Sequence, residues 1–289
     1  MERTYHRPQS LEWALEEMAN PGAVLLAGGT DLLVQWRELT EAEKPQRIVD
    51  LSGLDELRQI REEDGELVIG SMVTHRMLAQ SAVIRSVSPP LAEAAFSVGS
   101  PQIRNRGTVG GSLANASPAA DLAPVLVALG ARVCLESRNT RRELPVSAFL
   151  QGMNKTALES AEIIRSVKFS APAPGLQGTF QKVGRRNAVA IARLNGVCLV
   201  RRDATGRLDE VTLVIGSATP TPLDMSQEAR ELLAQGPEPE ALRELALRTV
   251  RRVEEIAGVR ASARWKFPAV ENLVLKLFRV SDEGGSEHE

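Results

Sequence analysis

The amino-acid sequence predicts an α+β protein of two domains, and three observations lead to this fold class. Strand-like and helix-like segments alternate in the first half, beginning with a βαβ-like unit. Residues 170–175, Ser-Ala-Pro-Ala-Pro-Gly, form the best linker candidate, because proline fixes φ and withdraws a backbone donor. Beyond this linker, three strand-like runs are followed mainly by helices. With 289 residues the chain is long enough for two cores.

Capping residues and apolar periodicity place the elements of the first domain. Ser10 suits the N-cap of the first helix, which Pro21 and Gly22 end, and Thr74 suits the N-cap of a later helix. The predicted helices are residues 11–19, 32–38, 75–81, 91–97 and 123–129. The predicted strands are residues 23–27, 47–51, 66–70, 131–135 and 162–169.

The second domain is predicted to contain a three-stranded sheet followed by helices. Its strands are expected at residues 178–183, 189–202 and 210–216, with a hairpin-type turn at 203–206, and its helices at 227–234, 239–256 and 264–280. The predicted domains are residues 1–172, with subdomains of about 1–55 and 56–172, and residues 177–281, followed by a disordered tail at 282–289.

Composition excludes several function classes. A net charge of −2 argues against a nucleic-acid-binding surface, which carries a basic excess. No apolar run is long enough to span a bilayer, and the N-terminus lacks the apolar region of a signal peptide, so a cytoplasmic location is expected. The chain has two cysteines, Cys134 and Cys198, whereas an iron–sulfur cluster takes four, and both are expected to be buried thiols. The three histidines show no metal-ligand spacing.

Two glycine-rich segments are the most informative motifs. The first is Ala27-Gly28-Gly29-Thr30-Asp31-Leu32, and the second runs from Thr108-Val109-Gly110-Gly111-Ser112 through Asn115 and Ser117 to Asp121. Backbone without Cβ atoms can approach a ligand closely, and its N–H groups bind anions. Two such segments indicate a ligand with two phosphates. A single Gly-Gly is usually a turn, and Asp121 is also placed to cap the following helix, so both simpler interpretations remain open.

Several motifs together resemble the FAD-binding subunit of molybdenum hydroxylases, a family that includes the medium subunits of xanthine dehydrogenase and aerobic carbon monoxide dehydrogenase. Beside the two glycine segments, the motifs are Gln102-Ile-Arg-Asn105, Glu162-Ile-Ile-Arg-Ser-Val-Lys-Phe169, Phe180-Gln-Lys-Val-Gly-Arg-Arg186 and Gly216-Ser-Ala-Thr-Pro220. They cover nearly the whole chain in the family's order. The fold that this resemblance implies is a two-subdomain FAD-binding domain of the PCMH/CO dehydrogenase flavoprotein type, followed by a smaller α+β C-terminal domain.

The resemblance also implies which residues bind FAD. Residues 26–32 match the family's first flavin loop, whose amides hold the pyrophosphate, and residues 108–112 match the second. Asn115 and Ser117 supply polar side chains that a plain turn does not need. The cofactor-binding residues predicted in this way are Leu26, Ala27, Gly28, Gly29, Thr30, Asp31, Leu32, Thr108, Val109, Gly110, Gly111, Ser112, Asn115, Ser117, Asp121, Ile164 and Lys182.

The remaining matches are single residues. Asp121 matches an FAD-binding carboxylate of the family, and Ile164 matches a position that contacts the flavin through its backbone. Lys182 falls near the family's flavin-contacting lysine, although the surrounding alignment also allows Gln181 at that position. The family more often has Asn where this chain has Ser112. Valine in place of Gly110 or Gly111 is expected to remove FAD while the fold largely survives.

The function that the resemblance implies is electron transfer by a flavoprotein subunit. A large molybdopterin-binding subunit and a small [2Fe–2S] subunit are the expected partners, with a dimer of heterotrimers as a possible assembly and NAD⁺, a quinone or oxygen as acceptor. FAD is expected to be non-covalent, because neither motif contains His or Cys, and no residue of this chain is expected to be catalytic or to bind metal. The alternatives are a stand-alone flavin oxidase or reductase of the same fold, and an assembly protein that has lost the flavin.

Overall fold

The computed structural model describes residues 3–186, 189–205, 207–259 and 263–283. The strands are β1 (Thr4–His6), β2 (Ala23–Leu26), β3 (Arg47–Asp50), β4 (Ile60–Glu63), β5 (Glu66–Gly70), β6 (Arg132–Glu136), β7 (Arg141–Pro145), β8 (Leu150–Gly152), β9 (Lys155–Thr156), β10 (Ile163–Ser170), β11 (Gln177–Val183), β12 (Leu194–Arg202), β13 (Leu208–Gly216) and β14 (Leu223–Asp224). The α-helices are α1 (Leu11–Met18), α2 (Leu32–Gln35), α3 (His75–Gln80), α4 (Ala82–Val87), α5 (Pro89–Ser97), α6 (Pro101–Arg106), α7 (Val109–Asn115), α8 (Leu122–Ala128), α9 (Val146–Phe149), α10 (Ser226–Leu232), α11 (Pro239–Ala257) and α12 (Ala263–Glu283).

The chain folds into two compact units, each assembled from separate stretches of sequence. The first unit comprises the described residues of Met1–Leu78, Ser100–Ser117 and Ala131–Ser170. The second comprises those of Ala79–Gly99, Pro118–Gly130 and Ala171–Glu289. None of the helices in the described ranges is both long and apolar enough to cross a lipid bilayer. The α+β fold class is confirmed.

The first unit contains a small parallel sheet at its N-terminal end. Its strand order is β1-β3-β2, and Ser10 caps α1 by accepting a hydrogen bond from the Trp13 amide at 3.2 Å, as predicted. The apolar face of α1 packs on this sheet, because Leu11, Ala14 and Leu15 are buried in one cluster with Val49 of β3. Strand β2 ends at Leu26, so the first glycine segment emerges directly from the sheet.

The second sheet of this unit is antiparallel, with the strand order β4-β5-β10-β6-β7. The sequence analysis missed both edge strands, β4 and β7. Exposed charged residues such as Glu63 and Arg141 interrupt the apolar pattern there. Charged side chains are common on edge strands because they discourage pairing with another chain. Strand β10 carries an irregularity between Ile164 and Ser166, where its register against β6 shifts.

The second unit is built on one antiparallel sheet with the order β11-β12-β13-β14. The predicted sheet of three strands therefore needs correction, because the two-residue strand β14 pairs with β13. Two residues are too short to leave a periodic pattern in sequence. The core of the unit lies between this sheet and its C-terminal helices, where Val253 of α11 and Leu273 and Leu277 of α12 are buried against strand residues such as Leu213.

Other differences from the sequence analysis are local. The predicted strand at 189–202 begins only at Leu194, and the short helices α4, α6 and α9 were not predicted. Cys198 is buried as expected, whereas Cys134 is half-buried, and neither is in a disulfide. Helix α12 continues to Glu283, beyond the start of the predicted tail, and residues 284–289 of that tail lie outside the described residues. Gly206 of the predicted hairpin turn also lies outside them.

Candidate cofactor site

The first glycine segment (residues 27–32) contains backbone amides that make no hydrogen bond within the described residues. It leaves β2 and enters the single turn of α2, and Gly29 has a left-handed φ of +71°. Carbonyl oxygens in the segment are used, because Leu33 donates to Gly29 and Gln35 donates to Asp31. In contrast, the amides of residues 28–32 have no acceptor anywhere in the described ranges. Backbone donors left in this state are available to an anion.

No side chain caps the start of α2. Asp31 occupies the N-cap position, but it makes no capping hydrogen bond. Its carboxylate instead accepts a hydrogen bond from Gln35 Nε2 at 2.5 Å. Thr30 is half-buried and Asp31 is exposed. The local shape of the segment is therefore set by its backbone.

Residues 108–112, which contain the two glycines of the second segment, do not form the flavin loop that the sequence analysis expected, because α7 begins there. Thr108 is the N-cap of α7, and its Oγ1 accepts a hydrogen bond from the Gly111 amide at 3.0 Å. Helix α7 contains both glycines, which have poor helix propensity and for that reason resemble a loop in sequence. The helix ends at Asn115, and Ala116 follows with a left-handed φ of +45°.

The amides at the start of α7 are already satisfied by the protein. Val109 donates to the Val73 carbonyl at 3.0 Å, and Gly110 donates to the Ser71 carbonyl at 2.8 Å. Ser112 donates to the Thr108 carbonyl at 2.9 Å. A Cβ added at Gly110 would lie 2.6 Å from the Ser71 Cβ. Glycine at this position is therefore required by internal packing.

The two glycine segments nevertheless lie side by side within the first unit. A Cβ added at Gly28 would overlap the carbonyl oxygen of Arg106, which ends α6 just before the second segment. A Cβ added at Gly111 would lie 3.8 Å from the Cβ of Ala27. The free amides of the first segment thus lie close to the N-terminal end of α7. The two glycine segments are therefore neighbours in the fold, as the sequence analysis expected.

Two buried polar side chains that the sequence analysis missed support the second segment. The amide of His75 donates to the Gly107 carbonyl at 3.0 Å, and a Cβ at Gly107 would lie 3.0 Å from the His75 ring. His75 Nδ1 and Ser71 Oγ are buried and have no hydrogen-bond partner within the described residues. Burial lowers the pKa of His75 to about 4, so its ring is neutral at pH 7.

The other predicted residues of the first unit have distinct positions. Ile164 is buried on β10 opposite Leu135, but the ladder between β10 and β5 begins only at Ser166. The backbone of Ile164 consequently lacks a ladder partner on that side among the described strands, which suits a contact made through the backbone. Asn115 and Ser117 are half-buried around the C-terminal end of α7.

Asp121 and Lys182 belong to the second unit, where they form a buried ion pair. Lys182 Nζ lies 2.5 Å from Asp121 Oδ2, and Asn195 Nδ2 donates to Asp121 Oδ1 at 3.0 Å. The Asp121 side chain makes no capping hydrogen bond to α8, so the simpler interpretation of this residue is wrong. Burial raises the pKa of the Asp121 carboxyl, and the ammonium of Lys182 opposes that rise. The sequence analysis missed Asn195, which stands in an apolar run.

Comparison with known proteins gives the class of this molecule. The family model described as "FAD binding domain in molybdopterin dehydrogenase" matches residues 1–172. The carbon monoxide dehydrogenase medium chain of Hydrogenophaga pseudoflava is 31% identical over 279 residues, covering 96% of each chain. The nicotinate dehydrogenase FAD-subunit of Eubacterium barkeri is 32% identical over 281 residues, covering 95% of this chain and 94% of that one.

Solved structures agree with the sequence comparisons. A chain of carbon monoxide dehydrogenase from Hydrogenophaga pseudoflava, in a form lacking the Mo-pyranopterin moiety of its cofactor, superimposes with a TM-score of 0.87 at 28% identity, covering 96% of both chains. The protein is therefore a flavoprotein of the oxidoreductase class. It belongs to the family of FAD-binding domains of molybdopterin dehydrogenases, and its cofactor is FAD.

The described residues fit the pyrophosphate of FAD at the first glycine segment. A pyrophosphate offers only acceptors, and the backbone amides of residues 28–32 are donors for which the described chain provides no acceptor. The second segment offers fewer donors to a pyrophosphate, because the amides of Val109, Gly110 and Gly111 already donate to other protein groups. No cluster of three or more His, Cys, Asp or Glu side chains suited to a metal ion occurs within the described ranges.

Proposed function

We propose that this chain is the FAD-carrying electron-transfer subunit of a molybdenum hydroxylase complex. Its partners are a large molybdopterin-binding subunit and a small subunit with [2Fe–2S] clusters. Electrons pass from the small subunit to FAD and then to NAD⁺, a quinone or oxygen. Membership of the family and similarity to a medium chain and an FAD-subunit over nearly the full length support this proposal.

The observation that carries the cofactor site is the row of free amides in residues 28–32. In the proposed complex these amides bind the pyrophosphate, while the end of α6 at Arg106 and the start of α7 at Gly111 support the segment. The backbone of Ile164 and the ammonium of Lys182 are the proposed contacts to the flavin. Bound FAD supplies the redox chemistry, whereas the protein orients the cofactor and sets its electrostatic surroundings.

The domain division and the location of the protein remain predictions. We propose residues 1–172 as the FAD-binding domain and residues 177–281 as a C-terminal domain. We also propose a dimer of heterotrimers in the cytoplasm, with no nucleic acid among the partners.

The first experiment is an absorption spectrum of the purified chain before and after acid precipitation, with chromatography of the released cofactor. A two-band flavin spectrum with FAD in the supernatant is the expected result. Colour retained in the pellet would indicate a covalent flavin and favour the stand-alone oxidase or reductase. A colourless protein that fails to bind added FAD would favour the assembly protein.

Electron transfer needs a second experiment with the whole complex. The three subunits are co-expressed and purified through a tag on this chain. Substrate of the molybdenum subunit should then bleach the flavin absorbance anaerobically, and a complex lacking the [2Fe–2S] subunit should not. Rapid bleaching without that subunit would contradict the proposed electron path.

A further inference from the structure

The small parallel sheet of the first unit brings three strand ends to one edge. Strands β1 and β2 both run parallel to β3, so the carboxyl ends of all three lie together. At this edge β2 ends at Leu26, directly before the first glycine segment, and β3 ends at Asp50, which is paired with Leu26. Arg7 follows the last residue of β1. Ligands of open parallel sheets bind beyond the carboxyl ends of the strands, so these residues border the proposed pyrophosphate site.

Helix α6 brings a second arginine to the same edge. The carbonyl group of Arg106, its last residue, lies where a Cβ on Gly28 would be, so the two backbones are in contact. Tyr5 of β1 donates a hydrogen bond to Asp50, and this bond raises the pKa of the Tyr5 phenol. The positive charges of Arg7 and Arg106 oppose that rise. Both guanidinium groups therefore lie within electrostatic range of this hydrogen bond.

Neither of these two arginines is neutralised by a partner. Both residues are exposed, and neither guanidinium group makes a hydrogen bond or an ion pair with another residue that the structure describes. A neighbouring cation behaves differently, because Arg47 of β3 pairs with Glu17 at 2.5 Å. Arg7 and Arg106 therefore leave their positive charge available to an anion at the sheet edge.

Two carboxylates at the same edge make this charge necessary. Asp31 is an exposed residue of the first segment, and Asp50 ends β3. A pyrophosphate is an anion, which like charges repel, and backbone amides supply hydrogen bonds but no net charge. With the carboxylates alone, the edge would repel the group that its amides can bind. The two arginines offset the two carboxylates.

We propose that Arg7 and Arg106 supply the counter-charge of the FAD pyrophosphate. This rests on the proposed function, and it adds two side chains to a phosphate site that otherwise consists of backbone. The amides of residues 28–32 fix the position of the phosphates, while the two guanidinium groups offset the carboxylates and attract the anion through the solvent. Arg106 thereby has two roles, because its carbonyl packs on Gly28 and its side chain carries the charge.

Titration of the apo-protein with FAD at two salt concentrations tests the proposal. The variants are Arg7→Gln and Arg106→Gln, and the readout is the FAD dissociation constant in about 0.05 M and about 0.5 M sodium chloride. At low salt each variant should bind FAD about fivefold more weakly than the wild type, as expected for charges that are screened by solvent. At high salt the loss should shrink to less than about twofold, because the Debye length falls to about 4 Å.

ADP and a lysine variant separate the charge of Arg106 from its shape. ADP carries the diphosphate without the isoalloxazine, and its affinity is measured by displacement of FAD. Arg106→Gln should weaken ADP at least as much as FAD. Arg106→Lys keeps the positive charge but not the planar fork of the guanidinium, so its FAD affinity should stay within about twofold of the wild type.

Arg243→Gln is the matched control. Arg243 is an exposed residue of α11 that makes no hydrogen bond or ion pair with another residue in the described ranges, so its substitution changes the net charge by the same amount. FAD affinity should stay within about twofold of the wild type at both salt concentrations. An equal loss in Arg243→Gln and Arg106→Gln would mean that the net charge of the chain explains the effect, and would refute the proposal.

Three further outcomes would overturn the proposal. A loss that persists at high salt and is not rescued by lysine would mean that Arg106 only shapes the first segment. Weaker FAD binding with unchanged ADP binding would mean that the charge acts on the flavin end of the cofactor. Unchanged FAD affinity, together with weaker retention of the co-expressed [2Fe–2S] subunit, would mean that the two arginines bind an acidic partner surface. A wild-type chain that binds no FAD would instead refute the proposed function, and this is known before the variants are made.

Discussion

The two glycine segments resemble each other in sequence but differ in how the fold uses them. In the first segment, the amides of residues 28–32 find no acceptor in the described chain, and the segment is half-buried or exposed. In the second, Val109 and Gly110 are buried and their amides bond to Val73 and Ser71. The first segment has the properties of a binding surface, and the second those of its support.

This difference shows that a glycine pair has more than one physical cause. Gly29 needs a positive φ, which glycine adopts at little cost. Gly110 needs the absence of a Cβ, because Ser71 occupies that space. Neither reason requires a ligand, so a glycine motif marks a binding site only when the donors around it remain free.

Gly110→Val should have the largest effect on the fold. The added side chain would begin 2.6 Å from the Ser71 Cβ and 2.9 Å from the Ser71 carbonyl oxygen. Overpacking of this kind costs about 3 kcal/mol in the free energy of unfolding. The earlier expectation that the fold survives therefore changes, and chemical denaturation of the apo-protein measures the loss.

The control for Gly110→Val is Ala114→Val, which adds a β-branched residue at an exposed position of the same helix. Its cost should be below about 1 kcal/mol, since only helix propensity changes. If Gly110→Val lost FAD without losing apo-protein stability, α7 would be part of the phosphate site. The two segments would then both bind FAD, and the second could not be described as a support for the first.

Acid should lower the free energy of unfolding through His75, whose ring packs beside the second segment. Burial of the ring lowers the pKa of His75 from its ordinary value of 6.5 to about 4 in the folded protein. The unfolded chain therefore takes up the proton first, and stability that is complete above pH 7 is lost as the pH falls toward 4. Between pH 7 and pH 5 the loss is about 2 kcal/mol.

His75→Asn removes this titration and provides the comparison. Urea unfolding of wild type and variant at pH 7 and pH 5 should show a smaller pH dependence in the variant. Burial raises the pKa of Asp121, and this contribution has the opposite sign but is common to both proteins. Identical pH dependence in the two proteins would mean that His75 is accessible to protons in the native state.

Gly29→Ala should have a smaller effect on stability and a clear effect on FAD. A left-handed φ costs an alanine about 1 kcal/mol, and its Cβ would meet the Leu33 Cδ1 at 2.9 Å. The resulting shift misaligns the free amides, so FAD affinity should fall about tenfold. Isothermal titration of apo-protein with FAD measures the affinity.

Gly65→Ala is the control for Gly29→Ala. Gly65 has a φ of +77° in the turn between β4 and β5, and no atom within 4 Å of an added Cβ. The backbone strain is therefore the same, but the turn is not part of the glycine segments. FAD affinity that falls equally in both variants would show that strain alone explains the loss.

Much of the fold could be predicted from local sequence. Apolar periodicity identified α1, α11 and most of the central strands, because a buried face leaves a regular pattern. The edge strands β4 and β7 and the short strand β14 were not predicted, because an exposed strand or a strand of two residues leaves no regular apolar pattern in the sequence. Helix α7 was taken as a loop, because its stability comes from packing on the first unit and from the Thr108 cap rather than from the propensity of its glycines.

The candidate site was less accessible to sequence reasoning than the fold. Motifs brought the two glycine segments together, but which amides are free depends on Ser71 and Val73, whose carbonyls come from a distant part of the chain. Asn195 had no local signal, since only the register of its strand places its side-chain amide against Asp121. Contacts of this kind depend on strand pairing, which a single sequence does not encode locally.

Asp31→Ala should have the smallest effect, although Asp31 lies in the middle of the first segment. Its carboxylate is exposed and bonds to Gln35 Nε2, and an ionised carboxylate cannot donate a hydrogen bond to a phosphate. The amide of residue 31 remains in the variant, so FAD affinity should stay within about threefold of wild type. The same titration of apo-protein measures it, with Gly29→Ala alongside. A loss of tenfold or more would show that the segment binds FAD through a side chain. Free backbone amides in the first segment and bonded ones in α7 would then not explain why the two segments differ.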